Sequence, residues 1–137
     1  MTATGTTRCL AAVALLGVLL PAGCGGAGDG PPRHELSGKI TYQSGPIPGG
    51  RILFVPDTDR GNRGPGTVAQ IHDGTYRTRP GKGTVGGPHR LTVFGTNGKM
   101  ATETEDNCLF APYTMDAVLP QEDASLDIRV PAGGAAP

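Results

Sequence analysis

Turn-forming residues recur so densely in this chain that they limit the length of any regular element it can form. The chain has 23 glycines and 13 prolines in 137 residues. This fraction borders on that of disordered chains, and it fits equally well a small β protein with many tight turns. Past the leader described below, residues 99–111 are the one stretch of more than a dozen residues without either, and they carry no apolar stripe at helical spacing. We predict a loop there, with a single helical turn as the alternative.

Between the turns, apolar and polar residues alternate with a period of two, which predicts half-buried strands. Residues 51–55 differ because apolar side chains follow one another there, and this run favours a central strand covered on both faces and ended by Pro56. Asp73-Gly74 is the signal of a two-residue type I′ turn and therefore predicts a hairpin. The expected strands are residues 36–42, 51–55, 68–73, 75–79, 89–95 and 125–130, with a further short strand near 113–119. The fold class that follows is all-β, a single antiparallel β-sandwich of about seven strands.

The first residues have the layout of an export signal. Arg8 precedes an uninterrupted apolar or glycine segment at residues 9–20, and small residues then lead to Cys24. This segment is too short to span a membrane, because a spanning helix needs about 20 apolar residues. We predict a signal peptide at residues 1–23, cleaved before Cys24.

The run Leu20-Pro21-Ala22-Gly23-Cys24 resembles the lipobox of bacterial lipoproteins, with Pro21 where that family usually has Leu. The resemblance implies that the thiol of Cys24 is alkylated by diacylglycerol, which requires a thiolate nucleophile. The alternative is an ordinary secretory signal followed by a chance cysteine. Gly25, and not an aspartate, follows Cys24, so the expected location is the outer membrane, facing the periplasm or the cell surface. The protein is expected to be exported in either case.

The rest of the chain divides into three parts. Residues 24–34 are predicted to be a flexible, lipidated tether, residues 35–130 the β-sandwich domain, and residues 131–137 a disordered tail. Lys plus Arg equals Asp plus Glu at 12 each, and without residues 1–23 the formal charge is −1. This balance argues against a dedicated nucleic-acid binder.

Two pairs of segments in the predicted domain resemble carboxypeptidase regulatory-like domains, which have a transthyretin-like sandwich fold, especially as found in small planctomycete-type lipoproteins. The first pair is residues 38–42 and 45–56, which contain the turn Gly45-Pro46-Ile47-Pro48-Gly49-Gly50, and the second is residues 73–76 and 86–93. Ser44 stands where the family usually has Gly. The resemblance implies a non-catalytic accessory or adhesion module.

Catalytic, metal and cofactor sites are not predicted. Nothing in the spacing brings Cys108 together with His72 or His89 as a nucleophile and base, and Cys108 is expected to be a small buried apolar residue. Residues 57–62 superficially suggest a calcium loop, but Arg60 places a cation in it and a solvated turn is the expected structure.

A basic patch is the candidate binding site. Arg77 and Arg79 share a face of one predicted strand, and Lys82 and Arg90 lie on the adjoining loop and the next strand. If those strands pair, four cations gather in one place and suit an anionic envelope polymer or an acidic envelope protein. The alternative is a solvated strand face with no specific role.

The function predicted from these features is a lipid-anchored cell-envelope module with a non-catalytic binding or structural role. Its partners are the membrane, through the anchor, and an envelope protein or polymer, without nucleic acid. The alternative is an extracytoplasmic hydrolase or metal-dependent enzyme that uses loop residues.

Overall fold

Nine strands form the regular structure of the computed structural model, which describes residues 30–100, 102 and 106–133. A three-residue 3-10 turn, Thr58–Arg60, is the one helical element within these ranges. The strands are β1 (Leu36–Tyr42), β2 (Gly45–Pro46), β3 (Gly49–Pro56), β4 (Thr67–His72), β5 (Thr75–Arg77), β6 (Gly87–Thr96), β7 (Tyr113–Leu119), β8 (Ala124–Ser125) and β9 (Ile128–Val130). The prediction of an all-β fold is therefore confirmed for the described residues.

The strands belong to one hydrogen-bonded sheet with the order β2-β1-β5-β4-β3-β6-β7, and β8 and β9 pair with the other edge of β1. Neighbours along this path are antiparallel, whereas β8 and β9 run parallel to β1. The parallel pairs were not predicted, and the strand directions explain them. Five successive antiparallel pairings lead from β1 to β7, so β7 runs opposite to β1. The chain reverses its direction after β7, and β8 and β9 therefore run in the same direction as β1.

The sheet is curled, and the short connection from β7 to β8 requires this. In a flat sheet, β7 and β8 would lie six strand spacings apart, or about 29 Å at the usual spacing. The four residues 120–123 connect Leu119 to Ala124, and an extended chain of that length spans only about 18 Å. The two ends of the sheet must therefore approach each other.

In each long strand, every second side chain points into the space that the curled sheet encloses. The buried apolar residues form one cluster, which consists of Leu36, Ile40, Ile47, Ile52, Phe54, Ala69, Ile71, Tyr76, Leu91, Val93, Tyr113, Leu119, Ile128 and Val130. Their burial removes apolar surface from water and is the main favourable contribution to folding. The alternation predicted from the sequence is thus confirmed, and it leaves the opposite face of the strands on the outside.

The prediction for residues 51–55 is half right. The strand β3 is central, between β4 and β6. Its outer face is open, however, because Arg51 is exposed and Val55 is 42% exposed. No element within the described ranges covers that face, so the apolar run does not indicate burial on both sides.

The predicted last strand, residues 125–130, is interrupted. Asp127 Oδ1 accepts a hydrogen bond from the backbone N–H of Lys39 at 2.8 Å, and the N–H of Leu126 donates to the carbonyl of Ser37 at 2.8 Å. The chain bends inward here because Gly38 has no side chain, and a Cβ at that position would lie 2.1 Å from the Leu126 carbonyl oxygen. The interruption separates β8 from β9.

The two predicted turn regions agree with the structure where it describes them. Asp73 and Gly74 have φ angles of 47° and 76°, as a type I′ turn requires, and they join the paired strands β4 and β5. Of the predicted loop, residues 99, 100, 102 and 106–111 contain no helix, and Cys108 forms an isolated bridge with Thr96. The predicted signal peptide, Cys24 and the end of the predicted tail lie outside the described residues.

Candidate functional site

The outer faces of β1, β5 and β4 form an open groove with a volume of about 980 Å³. We call it the basic groove because its lining contains five cationic side chains and one histidine. These are Arg33, Lys39, Arg77, Arg79, Lys82 and His72. All of them except the half-buried Arg33 are exposed. The groove is thus a positively charged surface open to solvent.

Strand pairing sets the spacing of these side chains. Lys39 is the register partner of Thr75, which in turn is the partner of His72. In the next outward-facing row, Arg77 lies between Ser37 and Gln70. Partners on neighbouring strands have Cβ atoms about 5 Å apart, so these rows hold cations and hydrogen-bonding groups side by side.

A tight turn brings two further cations, Arg79 and Lys82, together. The N–H of Lys82 donates to the carbonyl of Arg79 at 2.9 Å, with Pro80 and Gly81 at the turn centre. Gly81 has a φ angle of 66°, and proline followed by a glycine of positive φ is the pattern of a type II turn. The Cα atoms at the two ends of such a turn lie within about 7 Å, so Arg79 and Lys82 are neighbours.

The Arg33 side chain links the residues that precede β1 to this turn. Its Nε donates to the carbonyl of Gly83 at 2.8 Å, and its Nη2 donates to Thr67 Oγ1 at 2.8 Å and to the carbonyl of Lys82 at 3.2 Å. His34 and Thr84 exchange backbone hydrogen bonds at 2.7 and 2.8 Å. The end of the predicted tether therefore contacts the sheet at the groove.

The cations of the groove have no carboxylate partner within salt-bridge distance among the residues that the structure describes. The ion pairs found there join Arg60 to Asp57 and Asp116, and Arg90 to Asp116. Asp127 also lines the groove, but one of its oxygens accepts the hydrogen bond from the Lys39 backbone. The groove thus combines several positive charges with little local neutralisation.

Asp127 also affects the tyrosine beneath the groove. Burial raises the pKa of Tyr76 above its usual range, and the negative charge of Asp127 raises it further. The Tyr76 hydroxyl donates to the Leu126 carbonyl at 2.6 Å. Tyr76 therefore stays neutral and connects β5 to the segment between β8 and β9.

The structure brings three of the four sequence-predicted patch residues together. Arg77, Arg79 and Lys82 line the groove, but Arg90 does not. The patch required the strand of Arg77 to pair with the strand of Arg90. These strands are β5 and β6, and β4 and β3 lie between them. Arg90 lies on β6 beside Asp116, with Nε 3.3 Å from Oδ1.

Sequence reasoning missed Lys39, His72 and Arg33. The alternation in residues 36–42 does place Lys39 on the outer face, but only the pairing of β1 with β5 shows that it lies near the arginines. No local pattern indicates a structural role for Arg33, because it follows two prolines in a segment that is predicted to be a flexible tether.

The residues considered for nucleophilic chemistry occupy separate places. Cys108 is exposed, contrary to the expectation of a small buried residue, since Leu109 and Phe110 pack against the core beside it. The Asp106 carboxylate accepts a hydrogen bond from the thiol and so raises the pKa of Cys108, which favours the less nucleophilic protonated form. His89 is buried at the opposite end of β6, with Nδ1 2.9 Å from the Gly87 carbonyl.

The described part of the chain also bears on metal binding and on membrane crossing. No group of three or more His, Cys, Asp or Glu side chains there is placed to hold a metal ion. No helix in that part is long and apolar enough to cross a membrane. Residues 57–62 contain the 3-10 turn, with Asp57 capping it and pairing with Arg60 at 3.4 Å.

Comparisons with protein-family models, with curated proteins and with solved structures found no match for this chain.

Proposed function

We propose that this protein is a lipid-anchored, non-catalytic module of the cell envelope that contacts an anionic envelope component through the basic groove. The observation that carries the proposal is the set of cations held on one sheet face without carboxylate partners within salt-bridge distance among the described residues. Arginine guanidinium groups bind carboxylates and phosphates through two parallel hydrogen bonds. Several of them at fixed positions suit a partner that carries repeated negative charges, such as an anionic polymer or an acidic protein surface.

The sheet supports such a role because it positions the cations in advance. Arg77 and Lys39 lie on paired strands, and Arg79 and Lys82 lie at the two ends of one tight turn. Binding then costs less conformational entropy than it would on a flexible segment.

For the fold, we propose a transthyretin-like sandwich of the carboxypeptidase regulatory-like type. The curled sheet supports this, because strands from its two ends contribute to one core. The resemblance in residues 38–42, 45–56, 73–76 and 86–93 supports it independently of the curl.

For the location, we propose export, lipidation of Cys24 and residence in the outer membrane, facing the periplasm or the cell surface. Replacement of Cys24 by Ala tests the anchor. The full-length variant should move from the membrane fraction to the soluble fraction, because two or three acyl chains at about 0.8 kcal/mol per buried CH₂ hold the wild type. An unchanged distribution would contradict the proposed anchor.

A charge-matched pair of variants tests the groove. We expect the wild type to bind a polyanion resin at low ionic strength and to elute with salt, since exposed charges are screened at higher concentrations. Replacement of Arg77, Arg79 and Lys82 by Ser should abolish this retention, whereas replacement of Arg63, Lys99 and Arg129 by Ser should preserve it. Both variants lose three positive charges, and circular dichroism would confirm that both fold. Equal loss of retention in the two variants would mean that net charge alone governs binding. If the resin does not retain the wild type, the basic groove is a solvated face without a binding role.

A further inference from the structure

The residues that precede β1 contact the groove that we propose as the binding site. Arg33 and His34 attach the incoming segment to Thr67, Gly83 and Thr84 through the hydrogen bonds given above. The segment that would join the domain to a lipid anchor therefore reaches the sheet at one end of the basic groove, and not on the opposite side of the domain.

The length of that segment limits where the groove can lie. Cys24 precedes Arg33 by nine residues. Nine residues span at most about 30 Å when fully extended, and a domain of about 100 residues is itself roughly 30 Å across. An anchor at Cys24 can bring the groove to the membrane easily, but it can bring the opposite face there only with the whole segment stretched around the domain.

We infer that the anionic component met by the basic groove is the headgroup layer of the membrane that carries the anchor. This inference rests on the proposed lipidation of Cys24, and it deepens the proposed function by naming the partner. Cationic side chains are attracted to anionic headgroups within about a Debye length of the surface. Acyl chains would supply the attachment, and the groove would orient the domain with β1, β5 and β4 toward the lipid.

The three lysines of the chain can report this orientation, because two of them lie in the groove and the third lies outside it. Lys39 and Lys82 line the groove, whereas Lys99 does not, and all three are exposed. The lipidated full-length protein would be reconstituted into vesicles of phosphatidylcholine alone and into vesicles that also contain phosphatidylglycerol. Acetylation of each lysine by an amine-reactive ester would then be followed by mass spectrometry.

On vesicles with phosphatidylglycerol, acetylation of Lys39 and Lys82 should slow by about tenfold relative to phosphatidylcholine vesicles, as expected when several cations each gain a modest attraction. The rate at Lys99 should not change, and high salt should remove the protection. Replacement of Arg77 and Arg79 by Ser leaves both groove lysines in place and should abolish the protection. Replacement of Arg63 and Arg129 by Ser removes the same charge outside the groove and should preserve it.

The outcomes separate this inference from the proposed function. Protection by soluble polyglutamate but not by phosphatidylglycerol vesicles would overturn the inference and leave anion binding by the groove intact. Protection by neither would overturn both. Equal protection on phosphatidylcholine vesicles, or equal protection of Lys99, would also overturn the inference, because a charge-driven orientation predicts neither.

Discussion

At the scale of single residues, the Arg33 side chain links three segments that are distant in the sequence. One guanidinium joins the incoming chain, the turn that ends at Lys82, and the start of β4 at Thr67. Hydrogen bonds from a charged donor contribute more to stability than neutral ones. Because Arg33 is half-buried, water competes less for its donors and for their acceptors. Arg33 therefore fixes the geometry of one end of the groove as well as contributing a charge to it.

Replacement of Arg33 by Met keeps most of the apolar stem and removes the donors. The free energy of unfolding should fall by about 1–2 kcal/mol, because the hydrogen bonds to Gly83 and Thr67 are lost. Urea denaturation measures this change. Replacement of Arg63 by Met is the control, since Arg63 is exposed, and its effect should stay within about 0.5 kcal/mol. Equal effects would mean that Arg33 has no special structural role.

At the scale of elements, two turns shape the groove, and they differ in what surrounds their glycines. Gly74 has a φ angle of 76°, and a Cβ there would lie 2.4 Å from Pro46 Cβ, against which the hairpin packs. Gly81 has a similar φ angle of 66°, but a Cβ there would meet nothing within 4 Å. The hairpin turn is therefore constrained by its conformation and by packing, whereas the turn in the groove is constrained by conformation alone.

Alanine at each of these two positions separates the contributions. Gly81→Ala should cost about 1 kcal/mol, the penalty of a left-handed conformation for a residue with a Cβ. Gly74→Ala should cost about 3 kcal/mol, since overpacking against Pro46 adds to the same penalty. The two free energies of unfolding can be compared in thermal or urea denaturation. Equal costs would contradict the packing of the hairpin against Pro46.

The elements also show where sequence reasoning succeeds. Asp73-Gly74 and the alternation around it are local signals, and the hairpin they predict is present. The exposure of Val55 and the break at Asp127 depend on what packs against each strand, which no local pattern states. The parallel pairing of the last strands depends on the directions of all the strands between them.

At the scale of the whole molecule, the candidate site is a product of the strand order. Its cations come from residues 33, 39, 77, 79 and 82, and the proximity of Lys39 to the arginines of β5 and the following turn requires β1 to pair with β5. The sequence supplied Arg77, Arg79 and Lys82 because they are close along the chain. It misplaced Arg90, because pairing of β5 with β6 was the simplest assumption and β4 and β3 intervene.

Disulfide formation between introduced cysteines tests this strand order most directly. Thr78 N–H donates to the Leu36 carbonyl at 2.8 Å, so the adjacent Ser37 and Arg77 occupy a non-hydrogen-bonded pair, in which the side chains lie closest.

In a Cys108→Ser background, Ser37→Cys with Arg77→Cys should form a disulfide under mild oxidation. Arg77→Cys with Arg90→Cys should not, because three strand spacings, about 14 Å, separate the two strands. Mass spectrometry of the oxidised, non-reduced proteins distinguishes the two results. A disulfide between positions 77 and 90, with none between 37 and 77, would contradict the pairing on which the basic groove depends.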